Sequence, residues 1–235
     1  MTKEGRVISK YIFELRYAPI YTILDKRGYF AENLSMALNT QDADFTAHRI
    51  DLYNSDRKIW AFLSATNCGF ASINPGSRTF FQDHTALFLK KLFSLGEFSL
   101  REILRIGVRS THVAEFKGTF EELKDSFRSN FIDLKKPAQE IFGAHISDVG
   151  LPLNFRSSDI NFNTSSGPME RSQLANFFPD VKPDLLPQIS LYLDLDYFKD
   201  TPARLQLDDI IGDVKKYSEL AWTKFTTLKN LIFGQ

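Results

Sequence analysis

One cysteine, Cys68, stands among 235 residues. No internal disulfide can form, and a lone thiol in an apolar setting is expected to be small, buried and inert. An excess of one charge is also missing, since Lys+Arg and Asp+Glu both number 29. A non-specific nucleic-acid binder lives on phosphate neutralisation and carries a basic surplus, so that role is not expected. No stretch approaches the ~18 consecutive apolar residues of a membrane span. The first residues, Met1-Thr-Lys-Glu-Gly-Arg6, lack the apolar core of a signal peptide. A soluble, cytosolic chain with no membrane contact is therefore expected. The four histidines, His48, His84, His112 and His145, lie far apart and match no zinc-ligand spacing. There is no Gly-x-x-x-x-Gly-Lys-Ser/Thr phosphate loop, no Gly-x-Ser-x-Gly elbow and no His-Glu-x-x-His pair. No catalytic residue, metal ligand or cofactor is assigned.

Apolar residues are plentiful, at 43% of the chain with 22 Phe, enough for a large core. Tyr11 to Tyr17 alternates: Tyr11, Phe13, Leu15 and Tyr17 share one strand face, and Ile12, Glu14 and Arg16 the other. A helix ending near Leu38 follows, then a polar turn over Asn39 to Asp44. Phe45 to Tyr53 and Ile59 to Ala65 read as paired strands, with a third at Phe70 to Ile73. A helix is predicted from about Thr79 to Leu95, stopped by Gly96, and a long strand from Ile103 to Phe116. Thr119 and Glu122 form a capping box, with Phe120, Leu123, Phe127 and Phe131 as the buried stripe behind it. Ile141 to Phe155 reads as extended, broken near Pro152. Ser157 to Pro187, rich in proline and without clear periodicity, reads as a long loop.

The chain closes on its clearest signal. Ile189, Leu191, Leu193, Leu195 and Tyr197 alternate with Tyr192, Asp194 and Asp196 on a strand. From Leu207 onward Ile210, Val214, Tyr217, Ala221, Phe225 and Ile232 recur at helical spacing. The expected fold is α+β in one domain, residues 1–235. It has an extensive, mostly antiparallel sheet, helices on one face and a long C-terminal helix. The βαβββα order recurs, which suggests two structural halves, about 1–98 and 99–235.

Charged strand faces form the one constellation. Glu14 and Arg16 lie on the first strand, Arg105 and Arg109 flank Gly107, and Asp194 and Asp196 lie on the last. If these strands are neighbours, arginine forks can pair with carboxylates. The alternatives are a structural ion-pair network, an anion-binding concavity donated by Arg16, Arg105 and Arg109, and an acid/base pair at Asp194 and Asp196. Trp222, at the edge of the last helix stripe, is a candidate interface anchor or a core residue.

Three segments, Phe13-Glu-Leu-Arg-Tyr-Ala-Pro19, Arg105-Ile-Gly-Val-Arg109 and Leu193-Asp-Leu-Asp196, precede a final helix bearing Trp222 and Phe225. Together they resemble a sporadically distributed prokaryotic family of uncharacterised proteins of similar length. The resemblance implies no reaction and no catalytic residues. The family's arginine strand continues into a Tyr-Ile-Asn-Arg-like stretch, where this chain has Ser110-Thr-His-Val113. The patchy distribution implies an accessory role, as in phage defence or stress. The leading expectation is a non-enzymatic binding module with a protein partner or self-association. The second is a binder of an anionic small molecule or nucleotide at the arginines, and the third a hydrolase using the paired aspartates.

Overall fold

Alternation along the first strand decides which way the sheet faces. In β1 (Val7–Tyr17) the residues Tyr11, Phe13, Leu15 and Tyr17 are buried under helices, while Lys10, Glu14 and Arg16 point to the opposite side. The computed structural model describes residues 5–56, 58–132, 137–157, 160–200 and 205–234. After β1 come α1 (Thr22–Asp25), α2 (Arg27–Leu38), β2 (Asp42–Phe45), β3 (Arg49–Asn54), β4 (Ile59–Ser64), β5 (Asn67–Ile73) and α3 (Arg78–Ser94). The second half holds β6 (Ile103–Glu115), α4 (Phe120–Phe131), α5 (Ala138–Phe142), β7 (Leu151–Arg156), β8 (Asn161–Glu170) and α6 (Arg171–Phe177). A short 3-10 turn at Pro183–Leu185, β9 (Ile189–Asp200) and α7 (Leu207–Phe233) complete it.

The nine strands form one sheet in the order β2-β3-β4-β5-β1-β6-β9-β8-β7, and every pairing is antiparallel. Outward from the centre, one half runs β1-β5-β4-β3-β2 and the other β6-β9-β8-β7. Each half is a strand, a pair of helices, a meander of strands and a long helix that returns over the sheet. The observed orders are βααββββα and βααββαβα, so neither half is the simple βαβββα read from the sequence.

The core lies between one sheet face and α2, α3 and α7. Phe13, Phe70 and Val108 from the sheet meet Phe30, Phe81, Phe88 and Phe225 from the helices. Each large side chain buried there contributes about 1.5–3 kcal/mol. α7 presents Ile210, Val214, Tyr217, Ala221 and Phe225 to this core at helical spacing. α4 closes one end of the same face through Leu123 and Phe127 against Leu191 and Ile232. Its capping box is formed: Thr119 accepts from the Glu122 amide, and Glu122 accepts from the Thr119 amide. Cys68 is fully buried, and burial pushes its thiol pKa well up.

Two expectations are corrected. The long loop expected over 157–187 is not one: β8 and α6 occupy residues 161–177, while 158 and 159 lie outside the described residues. Asn161–Glu170 is polar on both faces, so it carries no alternation, yet it is held on both edges by β7 and β9. The helices are not all on one face. Leu174, Phe178, Val181 and Leu186 cover Ile8, Ile73, Val113 and Tyr192 on the other side of the sheet. Two boundaries also move. Residues 42–45 form an edge strand with all four side chains exposed, and the extended chain expected from Ile141 starts only at Leu151, because Ala138–Phe142 is a short helix. No helix among the described residues is long and apolar enough to cross a membrane.

Candidate functional site

Away from the patch under α6, no helix among the described residues lies on the second face of the sheet, and the predicted charged residues meet there. In the register of β1, β6 and β9, Arg16 lies opposite Arg105, Glu14 opposite Gly107, and Arg109 opposite Asp196. Arg109 donates through Nε to both oxygens of Asp194 at 3.0 Å, and its Nη2 lies 2.9 Å from Oδ2. Thr111 donates to the same carboxylate at 2.7 Å. Arg105 donates to Asp196 at 2.9 Å and lays its guanidinium over the Phe198 ring, 4.3 Å from the centroid. Arg16 turns back along its own strand and donates to Glu14 at 2.9 Å. Glu14 also accepts from Asn67 of β5.

Exposure separates these pairs. Asp194 is 8% exposed, whereas the side chains of Arg109 and Arg16 are 51% and 49% exposed. Burial raises the Glu14 carboxyl pKa, but hydrogen bonds from Arg16 and Asn67 outweigh it and leave the group below its usual range. The hydrogen bond from Arg109 to Asp194 raises the arginine pKa further against partial desolvation. Gly107 holds no opening for a ligand. A Cβ there would lie 3.3 Å from the Tyr197 carbonyl and 3.4 Å from the Phe198 Cβ, so the neighbouring strand fills the space.

The ladder brings together Arg105, Arg109, Asp194 and Asp196, with Arg16 beside them. Trp222 is elsewhere: it packs edge-on against His112, with centroids 5.6 Å apart, and beside Phe225. It remains partly exposed at a small cavity with Tyr11 and Arg78.

Two polar clusters escaped the sequence reading. Ser9 and His112, directly opposite on β1 and β6, share a buried hydrogen bond of 2.9 Å between Oγ and Nδ1. Their signal was present, as polar residues at core-phase positions of two apolar strands. A serine–histidine contact invites a nucleophile reading, but burial, helped by Arg78, drops the imidazole pKa to about 3. A base that weak is poorly matched to proton abstraction near neutral pH. Tyr11, Trp222 and Phe225 also pack round the ring. The second cluster lies on the open face, where Asp51 accepts from Arg49 at 2.7 Å and from the Trp60 indole at 3.0 Å. Among the described residues, no group of three or more His, Cys, Asp or Glu is placed to hold a metal ion.

No family model and no curated protein matches the chain. Among solved structures, the chain is similar to a rolling circle replication initiator protein from Geobacillus stearothermophilus. The identity is 13%, over 89% of this chain and 80% of that one, with a TM-score of 0.33. A TM-score that low carries no argument about fold or role.

Proposed function

We propose that this chain is a non-enzymatic binding module that recognises a protein partner through the helix-free face of its sheet. The observation that supports this is the internal pairing of the arginines. Arg105 and Arg109 are each held by a carboxylate at 2.9–3.0 Å, and Arg16 by Glu14. A phosphate at these arginines would have to displace Asp194 and Asp196, which weighs against an anion site there. An acid/base role for the two aspartates meets the same obstacle, because each already accepts from a guanidinium. What the face offers instead is a fixed pattern of alternating charge on a rigid sheet. Such a pattern steers and selects a partner surface carrying the complementary charges. The accessory defence or stress role implied by the family resemblance would then be exercised by partner capture.

The test is a charge swap. Arg109→Asp combined with Asp194→Arg keeps an internal pair but inverts the pattern. We expect affinity capture from the native host to recover a defined partner with the parent chain and to lose it with the swapped chain, at equal thermal stability. Recovery of the same partner by both chains, or substrate turnover by the purified protein, overturns the proposal.

A further inference from the structure

Beside the charge ladder, on the same sheet face, a cavity of about 470 Å³ opens between β3, β4, β5, β1 and the segment after α6. This volume falls within the range of small-molecule sites. Its floor is Ala71 and Ile73. Lys10 is the register partner of Ile73, and the Ile73 amide donates to the Lys58 carbonyl. Ile73 thus lies between two lysines two strands apart, a span of roughly 10 Å. Neither ammonium lies within ion-pairing distance of a carboxylate among the described residues. Lys10 is half-buried. Desolvation lowers its pKa, Asp180 opposes this, and nearby Arg109 adds to it.

Two residues along the strands, on the same face, Tyr53 and Trp60 face each other across β3 and β4. Their rings are nearly parallel, at 8°, with centroids 6.4 Å apart. The Trp60 ring is fixed in advance. Its N–H is held by Asp51, and the Arg49 guanidinium, itself paired with Asp51, lies 4.8 Å from its centroid. A locked aromatic wall beside unpaired cations is a preorganised surface, which lowers the ordering cost of a ligand.

Lys58 closes the turn between β3 and β4: its amide donates to the Ser55 carbonyl, and its φ of +53° is the left-handed position that such a hairpin turn requires. The turn fixes where the Lys58 side chain leaves the backbone, and glycine would adopt the same φ with less strain.

From these features together we infer that the cavity binds a planar aromatic anion of nucleoside monophosphate size, its ring against Trp60 and Tyr53 and its anionic group between Lys10 and Lys58. This goes beyond the partner-binding proposal and stands or falls separately from it.

The experiment titrates the full chain with adenosine monophosphate, adenosine and inorganic phosphate, read by calorimetry. The nucleotide is expected to bind at least ten-fold more tightly than either fragment. Lys10→Met and Trp60→Ala should each weaken it ten-fold or more. Lys58→Gly is the decisive variant: it should weaken binding about ten-fold while raising the melting temperature by about 2–4 °C. Nucleotide binding no tighter than that of phosphate overturns the inference, and so does an affinity unchanged by Lys58→Gly.

Discussion

On β1, Tyr11, Phe13, Leu15 and Tyr17 are all buried under the helices. One residue out of phase, Lys10, Ile12, Glu14 and Arg16 stand on a face with no helix over most of its width. The same backbone thus serves two environments. On the dry side the Tyr11 ring stacks on Phe81, 5.1 Å away, and each side chain lost leaves a hole. On the open side, charges pair with one another and water can replace either partner. Stability resides on the first face, and the pattern a partner or ligand would meet resides on the second. The two should respond to substitution on different scales.

The largest expected effect comes from removing α7. A chain ending at Thr201 loses every contact of Ile210, Val214, Tyr217 and Phe225 with the core. It should show no cooperative unfolding transition by near-UV circular dichroism, and a stable monomer would break the comparison. Next is Phe13→Ala at a fully buried position, expected to cost about 3–5 kcal/mol in urea unfolding with little change in slope.

Acid attacks the dry face through His112. Its folded pKa of about 3 lies below the ordinary ~6.5 of the unfolded chain. Between these values the unfolded state binds the extra proton. Stability should therefore be level above pH ~6.5 and fall as the pH drops toward 3, by up to about 1.4 kcal/mol per pH unit from this group. Denaturant midpoints against pH would show it, and His112→Gln should flatten the slope.

The open face should yield less. Asp194→Ala leaves Arg109 and Thr111 without their acceptor, at a cost of about 1–3 kcal/mol. The lower end is expected because water reaches the half-exposed guanidinium. Arg16→Ala removes an exposed pair and should cost under about 0.5 kcal/mol. A loss above 2 kcal/mol there would mean that the open face is part of the core's stability after all.

These two faces were also unequally legible in the sequence. Alternation in Tyr11–Tyr17 and in Ile189–Tyr197 assigned both faces of β1 and β9, because large apolar residues mark one phase unambiguously. The Arg–Asp pairs followed once the strands were taken as neighbours. Asn161–Glu170 was opaque, since small polar residues on both faces leave no period to detect. The role of Trp60 was opaque for another reason. Its fixed ring depends on Asp51 and Arg49 of the adjoining strand, and the cavity beside it on a segment about 120 residues further along that folds back over the sheet. Lys58 at positive φ leaves no mark in sequence at all, because turns of this kind advertise themselves with glycine or asparagine.

The sheet's middle joint, β1 against β6, has a kinetic consequence. Val7 pairs with Ala114 and Arg16 with Arg105, so the two central strands are separated by nearly a hundred residues of chain. While the protein emerges from the ribosome, β1 can pair with β5, but its other edge stays open until β6 has been made. An exposed strand edge recruits other strands, and closing so long a loop is slow. The central seam of the finished sheet thus cannot be sealed until the whole first half has been made, and the nascent chain carries an open edge in its middle until then.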